Sequence, residues 1–163
     1  MTHPQQGATS YEIIHRYPVP LKRVWRAWTE PESLATWAWG RNAKGVEVEI
    51  DLRVGGLYTL YTEPQDETSK DADGWGVCGL YVEVEPLEQL TYTQHWTASV
   101  GYNEDQDVVD ELVMVGFREI DGQTEVRYQH LGIPNDKSSV EAHSSAVRST
   151  LDDLAALFSE GVL

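Results

Sequence analysis

Tyr128 and His130 stand two residues apart in Thr124–Leu131, a run rich in strand-forming residues, so they share one face of a strand. Val126 on the same face marks it as the inward one, which would carry the phenol and the imidazole inward together. His143 follows on the apolar stripe of a helical segment. An imidazole titrating near neutral pH beside a phenol suits proton abstraction: His130 or His143 as the general base, and Tyr128 steadying an enolate or carbonyl oxygen. The competing reading is structural, since a lone histidine on an inner face is usually a core residue with its hydrogen bonds satisfied. No Ser-x-x-Lys or Gly-x-Ser-x-Gly motif supplies a nucleophile. The histidines at 3, 15, 95, 130 and 143 are scattered, and there is neither an H-E-x-x-H motif nor a cysteine pair, so no metal is expected. Gly55-Gly56 precedes a strand rather than a helix, which makes it a turn and not a phosphate loop. No cofactor is expected.

The element that must position these groups is Ser138–Ser159. Val140, Val147, Leu151, Leu154 and Phe158 recur at three- and four-residue spacing, the mark of one buried helix face, with His143 on the same stripe. Ser138 and Glu141 read as a capping box. The last turns are bulky (Leu151, Leu154, Leu157, Phe158) and the first are small or polar (Ala142, His143, Ala146). Such a helix laid across a curved sheet leaves a hollow at its thin end, and function is expected there. Ahead of it, Ser10–Tyr17 reads as a strand stopped by Pro18 and Pro20. Leu21–Trp28 reads as a short helix with Leu21, Val24, Trp25 and Trp28 on its apolar side. Thr29 and Glu32 read as a capping box opening a second short helix. From Val46 the period becomes two, with strands expected at 46–51, 57–62, 75–85, 90–97, 108–120 and 124–131. Pro86-Leu87-Glu88 and Asp121-Gly122 read as tight turns. Consecutive antiparallel strands with helices near both chain ends imply an α+β domain over residues 10–163, after a disordered tail at 1–9.

The chain has 163 residues and a formal charge of −15, with the acids crowded into Glu63–Asp73 and Glu104–Glu111. That charge argues against binding nucleic acid or an anionic membrane surface. No apolar run approaches the roughly 20 residues that span a bilayer, and the N-terminus has no signal-like apolar segment, so a cytoplasmic protein is expected. The single cysteine, Cys78, cannot form an internal disulfide and reads as a buried, inert thiol.

At this point the residues resemble a known family. The chain has Val19-Pro20-x-x-x-Val24-Trp25, then Thr29-x-Pro31-x-x-Leu34, Trp37 and Trp39, and Asp51-Leu52-Arg53-Val54-Gly55-Gly56. Later come Gly79 in a G-x-x-x-E-V-x-P-L-E-x-L segment, Thr91–Trp96, Tyr128–His130 and Leu151–Leu157. This ordered set resembles the START-like (helix-grip) superfamily, and within it the activator of Hsp90 ATPase homologue 1-like family. Where members often carry Gly-Trp in the last helix, this chain has Ala146-Val147, and Trp37 and Trp39 are separated by an alanine.

The resemblance implies a curved antiparallel sheet wrapped around the long helix, with a cavity between them partly gated by the short helices. The lining it implies is Trp37, Trp39, Tyr58 or Tyr61, Trp75, Trp96, Tyr128, His130, His143 and Val147. Three functions are compatible with it. The leading one is binding of a small, mostly apolar or aromatic molecule without catalysis. The second is an enzyme of cyclase/aromatase or isomerase type using His130, Tyr128 and His143. The third is a chaperone-cofactor domain contacting its partner through the short helices or a sheet edge. A monomer or a homodimer is expected, the latter if the tryptophans of the short helices are exposed.

Overall fold

The computed structural model describes residues 9–63, 75–96, 111–133 and 137–163, except for the side chains at 9, 75 and 137–139. The elements are β1 (Thr9–Tyr17), α1 (Leu21–Thr29), α2 (Pro31–Ala35), β2 (Glu47–Ile50), β3 (Leu57–Thr62), β4 (Trp75–Glu85), β5 (Gln89–Trp96), β6 (Glu111–Ile120), β7 (Gln123–Ile133) and α3 (Lys137–Ser159). The strands form one antiparallel sheet in the order β1-β7-β6-β5-β4-β3-β2. From β2 to β7 the chain is a simple meander. The first strand closes beside the last, and α1 and α2 carry the chain from one sheet edge to the other. This is the α+β helix-grip architecture that the sequence implies. No helix among the described residues is long and apolar enough to cross a membrane.

Local chemistry explains the turns. Asp121 (φ 51°) and Gly122 (φ 76°) are both left-handed, as a two-residue hairpin between right-twisted strands requires. At Gly79 a Cβ would overlap the carbonyl of Thr93, so only glycine permits the close approach of β4 to β5. The β4–β5 register shifts just beyond, between Tyr81 and Glu83, an irregularity of the kind that bends a sheet.

The thick half of α3 seals the core. Leu151, Leu154, Leu157 and Phe158 are buried, together with Val24, Trp25, Ala27 and Trp28 of α1 and Val113, Val115, Phe117 and Val126 of the sheet. The Tyr17 hydroxyl donates to the Leu151 carbonyl (3.2 Å), while Phe158 meets the Tyr17 ring edge-on at 5.5 Å. Leu154 has 0% of its surface exposed, so Leu154→Ala should cost about 2–5 kcal/mol in urea unfolding, through lost contacts and a residual cavity. A loss below about 1 kcal/mol would show that this end of α3 is loosely packed.

Several expectations change. Thr29 does not cap the second helix: it ends α1, and its hydroxyl donates to the Trp25 carbonyl (2.9 Å). Glu30 is the N-cap of α2 but its side chain does not cap the backbone, and Pro31, with its preset φ, starts the helix instead. Helix α3 begins at Lys137, so Ser138 lies inside it rather than before it. Trp25, Trp28 and Trp37 are core residues rather than exposed surface, and Trp39 is half-buried. Cys78 is half-buried rather than sealed. Most of the acid-rich stretches at 63–73 and 104–111, the expected strand start at 108 and residues 1–8 of the tail expected at 1–9 lie outside the described residues, while Thr9 belongs to β1.

Candidate functional site

The thin half of α3 leaves a hollow over the sheet. Val140, His143 and Val147 are only half-buried, and beneath this part of the helix lies a cavity of about 430 Å³, within the size range of small-molecule sites. Its sheet wall comes from Tyr58 and Leu60 on β3, Val77 and Tyr81 on β4, Leu90, Tyr92, Gln94 and Trp96 on β5, and Tyr128 on β7. The helix wall is His143, Ala146, Val147, Thr150, Leu151 and Asp153. Trp28 of α1, Leu34 of α2, and Trp37–Gly40 after it close one side. That side is pinned to α3: Asp153 Oδ2 accepts the Arg41 backbone N–H (3.0 Å) and Arg41 pairs with Glu160 (2.7 Å). Trp39 is thereby held with its ring 5.9 Å from that of Trp96.

One end of the hollow is polar. Glu111 Oε2 receives the Gln94 amide (3.1 Å) and the Trp96 indole N–H (3.2 Å), and lies 2.7 Å from His130 Nε2. The other nitrogen of His130, Nδ1, faces the hydroxyls of Tyr128 (3.3 Å) and Tyr11 (3.4 Å). Tyr11 in turn reaches His143 Nδ1 at 2.7 Å, and the two imidazoles meet edge to face with centroids 4.5 Å apart. His130 is 0% exposed and the Glu111 side chain 12%. The cluster is assembled by strand pairing, which sets Tyr11 of β1 opposite His130 and Gln94 of β5 opposite Glu111.

The electrostatics follow from these contacts. Burial pushes the Glu111 carboxyl up, but the His130 hydrogen bond and charge, the Trp96 N–H and the His143 charge outweigh it, so its pKa falls below the usual carboxylate value. For His143, burial and the neighbouring His130 push the pKa down, and Glu111 offsets this only in part. Burial raises Tyr11, Tyr58, Tyr92 and Tyr128, and takes Tyr81 up to about 12, so all five phenols stay protonated near neutrality.

Of the residues expected to line the cavity, Trp37, Trp39, Tyr58, Trp96, Tyr128, His143 and Val147 do so. Tyr58 is the inward member of its pair, while Tyr61 is exposed. His130 is off the wall and meets the lining through Tyr128 and His143. The side chain of Trp75 lies outside the described residues. Sequence reasoning missed Tyr11, Tyr92, Gln94 and Glu111. Glu111 was legible as the outermost member of the inner-face row Glu111, Val113, Val115, Phe117; the acid-rich stretch before it masked the alternation. The face of β5 carrying Tyr92, Gln94 and Trp96 had no marker to set it inside.

Comparison with known proteins agrees with the architecture. A family model described as Activator of Hsp90 ATPase homolog 1-like protein matches residues 18–159. No functionally curated protein matches. Among solved structures, the chain resembles ChR145 from Cytophaga hutchinsonii (TM-score 0.74, 14% identity, 94% of this chain and 96% of that one). It also resembles CalU16 from Micromonospora echinospora (TM-score 0.65, 23% identity, 99% and 83%). A third likeness is to PFC0360w, described as an HSP90 activator from Plasmodium falciparum (TM-score 0.67, 20% identity, 92% and 96%). At these identities the structural likenesses speak for the fold alone. The family match covers most of the chain, and the protein belongs to the Activator of Hsp90 ATPase homolog 1-like family.

Proposed function

We propose that this domain binds a small, largely apolar or aromatic molecule in the hollow between the sheet and α3. The observation that carries this reading is the cavity itself. Tryptophan and tyrosine rings dominate a volume of ligand size, and Gln94 and His143 on its wall join it to the polar cluster behind. A planar ring can slot against Trp39 and Trp96, with a carbonyl or hydroxyl turned toward His143. Because the surrounding phenols stay protonated, they offer hydrogen bonds and no negative charge, which suits a neutral ligand. The Plasmodium relative's description as an HSP90 activator supports a second reading, in which the domain contacts a chaperone.

The test is a fluorescence titration with N-phenyl-1-naphthylamine, a neutral aromatic probe, paired with native mass spectrometry of the protein as purified. Ligand binding predicts saturable probe uptake at one site per chain, and thermal stabilisation that grows with probe concentration relative to its dissociation constant. A linear, unsaturable signal together with an unmodified mass would overturn the reading. A chaperone-contact function would show instead as a change in chaperone ATPase rate that persists when the cavity is filled by a larger side chain.

A further inference from the structure

Glu111, His130 and His143 each offer a ligand atom, and the three atoms lie within 4.8 Å of one another. We propose that they form a binding site for a first-row divalent transition metal ion of the zinc class, at the polar end of the cavity. The inference stands apart from the proposed ligand, because it rests on the donor set and not on what fills the hollow.

Two imidazoles and one carboxylate are a donor set suited to zinc and its neighbours, and they leave at least one coordination position open. Ligand atoms around a tetrahedral zinc ion stand about 3.3 Å apart, given metal–ligand bonds near 2.0–2.1 Å. The widest separation here must therefore close by at most about 1.5 Å, and the His130–Glu111 contact must open by about 0.6 Å, shifts on the scale of side-chain torsions. The surroundings already match what a metal-bound imidazole needs. Such a ring keeps its second N–H on a partner, and His130 Nδ1 faces the hydroxyls of Tyr128 and Tyr11. Without metal, Nε2 carries the proton that it donates to Glu111 Oε2, so an incoming ion would displace that proton while Nδ1 takes up the N–H that faces the two hydroxyls. The carboxylate is likewise oriented, by Gln94 and Trp96. His143 lies on the cavity wall, so the site borders the hollow, from which an oxygen or sulfur donor could complete the shell. The three ligands come from β6, β7 and α3, so the ion would also tie the thin end of the helix to the sheet.

The test uses the whole chain, stripped with chelator and titrated with Co2+, whose visible absorption reports nitrogen and oxygen ligation in a low-coordinate site. The expected result is one Co2+ per chain, with absorption bands that one equivalent of Zn2+ abolishes. Because His130 is fully buried and its loss could unfold the domain, the diagnostic variant is His143→Ala, half-buried on α3, with its fold checked by circular dichroism. Its Co2+ affinity should fall by more than the roughly 10–100-fold that loss of an outer-shell partner alone causes. Glu111→Gln should behave similarly. A spectrum that stays that of hexaaquo Co2+ would overturn the proposal. So would binding left unchanged by His143→Ala, since the ion would then be held by surface carboxylates of this strongly acidic chain.

Discussion

Val147→Trp should weaken N-phenyl-1-naphthylamine binding by at least about 100-fold, equivalent to about 2.7 kcal/mol, with the fold intact. Val147 lies on the helix wall of the cavity, half-buried and packed against the edge of the core. In a filled interior the larger side chain would cost about 1–3 kcal/mol through forced rotamers and backbone shifts. Here the hollow can accept the indole, so the midpoint of thermal unfolding should hold or rise while the ligand loses its space. Occupancy and stability thus move independently, which separates a plugged cavity from a damaged fold. Probe affinity unchanged in Val147→Trp would place the probe elsewhere and count against the cavity as the binding site.

The second large effect concerns the polar end. Glu111→Ala should destabilise the domain by about 1–3 kcal/mol at neutral pH, the usual consequence of leaving a buried polar group without its partner. The alanine leaves His130, which is wholly buried, facing no acceptor, and strips the Gln94 amide and Trp96 indole of the same oxygen. Glu111→Gln keeps an oxygen in place and should cost distinctly less. Neutral pH is the right condition. The folded carboxyl titrates below its ordinary value, so its contribution is complete above the unfolded pKa, about 4.3, and fades as acid is added through the lower folded value. Urea unfolding measures both variants. A cost below about 1 kcal/mol for Glu111→Ala would mean that water replaces the carboxylate and that the cluster is not a dry one.

Much of the architecture was legible because it depends on short-range periodicity. Alternation over Thr124–Leu131 correctly turned Tyr128 and His130 inward, and the Asp121-Gly122 turn set the register of β6 against β7. The taper of α3 from Phe158 back to His143 was visible in side-chain sizes, and the hollow lies under its thin end. Where reading failed, local rules had rivals. Thr29 could cap the next helix or close the last one, and Pro31 decided it by starting α2 without a capping side chain. Trp25, Trp28 and Trp37 could be core or contact surface. Trp25 and Trp28 are buried by α1 packing against the sheet, where Phe117 meets Trp25 edge-on at 5.2 Å, and Trp37 is drawn in by donating to the Ala27 carbonyl (2.9 Å).

By itself the sequence determined the order of the elements, the inward face of β7 and the thin end of the helix, since each follows from spacing within a few residues, whereas the inward face of β5 did not. The polar cluster was decided only in three dimensions. Tyr11 reaches His130 and His143 across 119 and 132 residues of chain, because β1, the first strand, pairs with β7, the last. Glu111 joins them from β6 through a neighbouring strand pairing. Side-chain periodicity says which way a residue points, whereas strand order says what it points at. Strand order is set by how the whole sheet closes over α3, not by any segment alone.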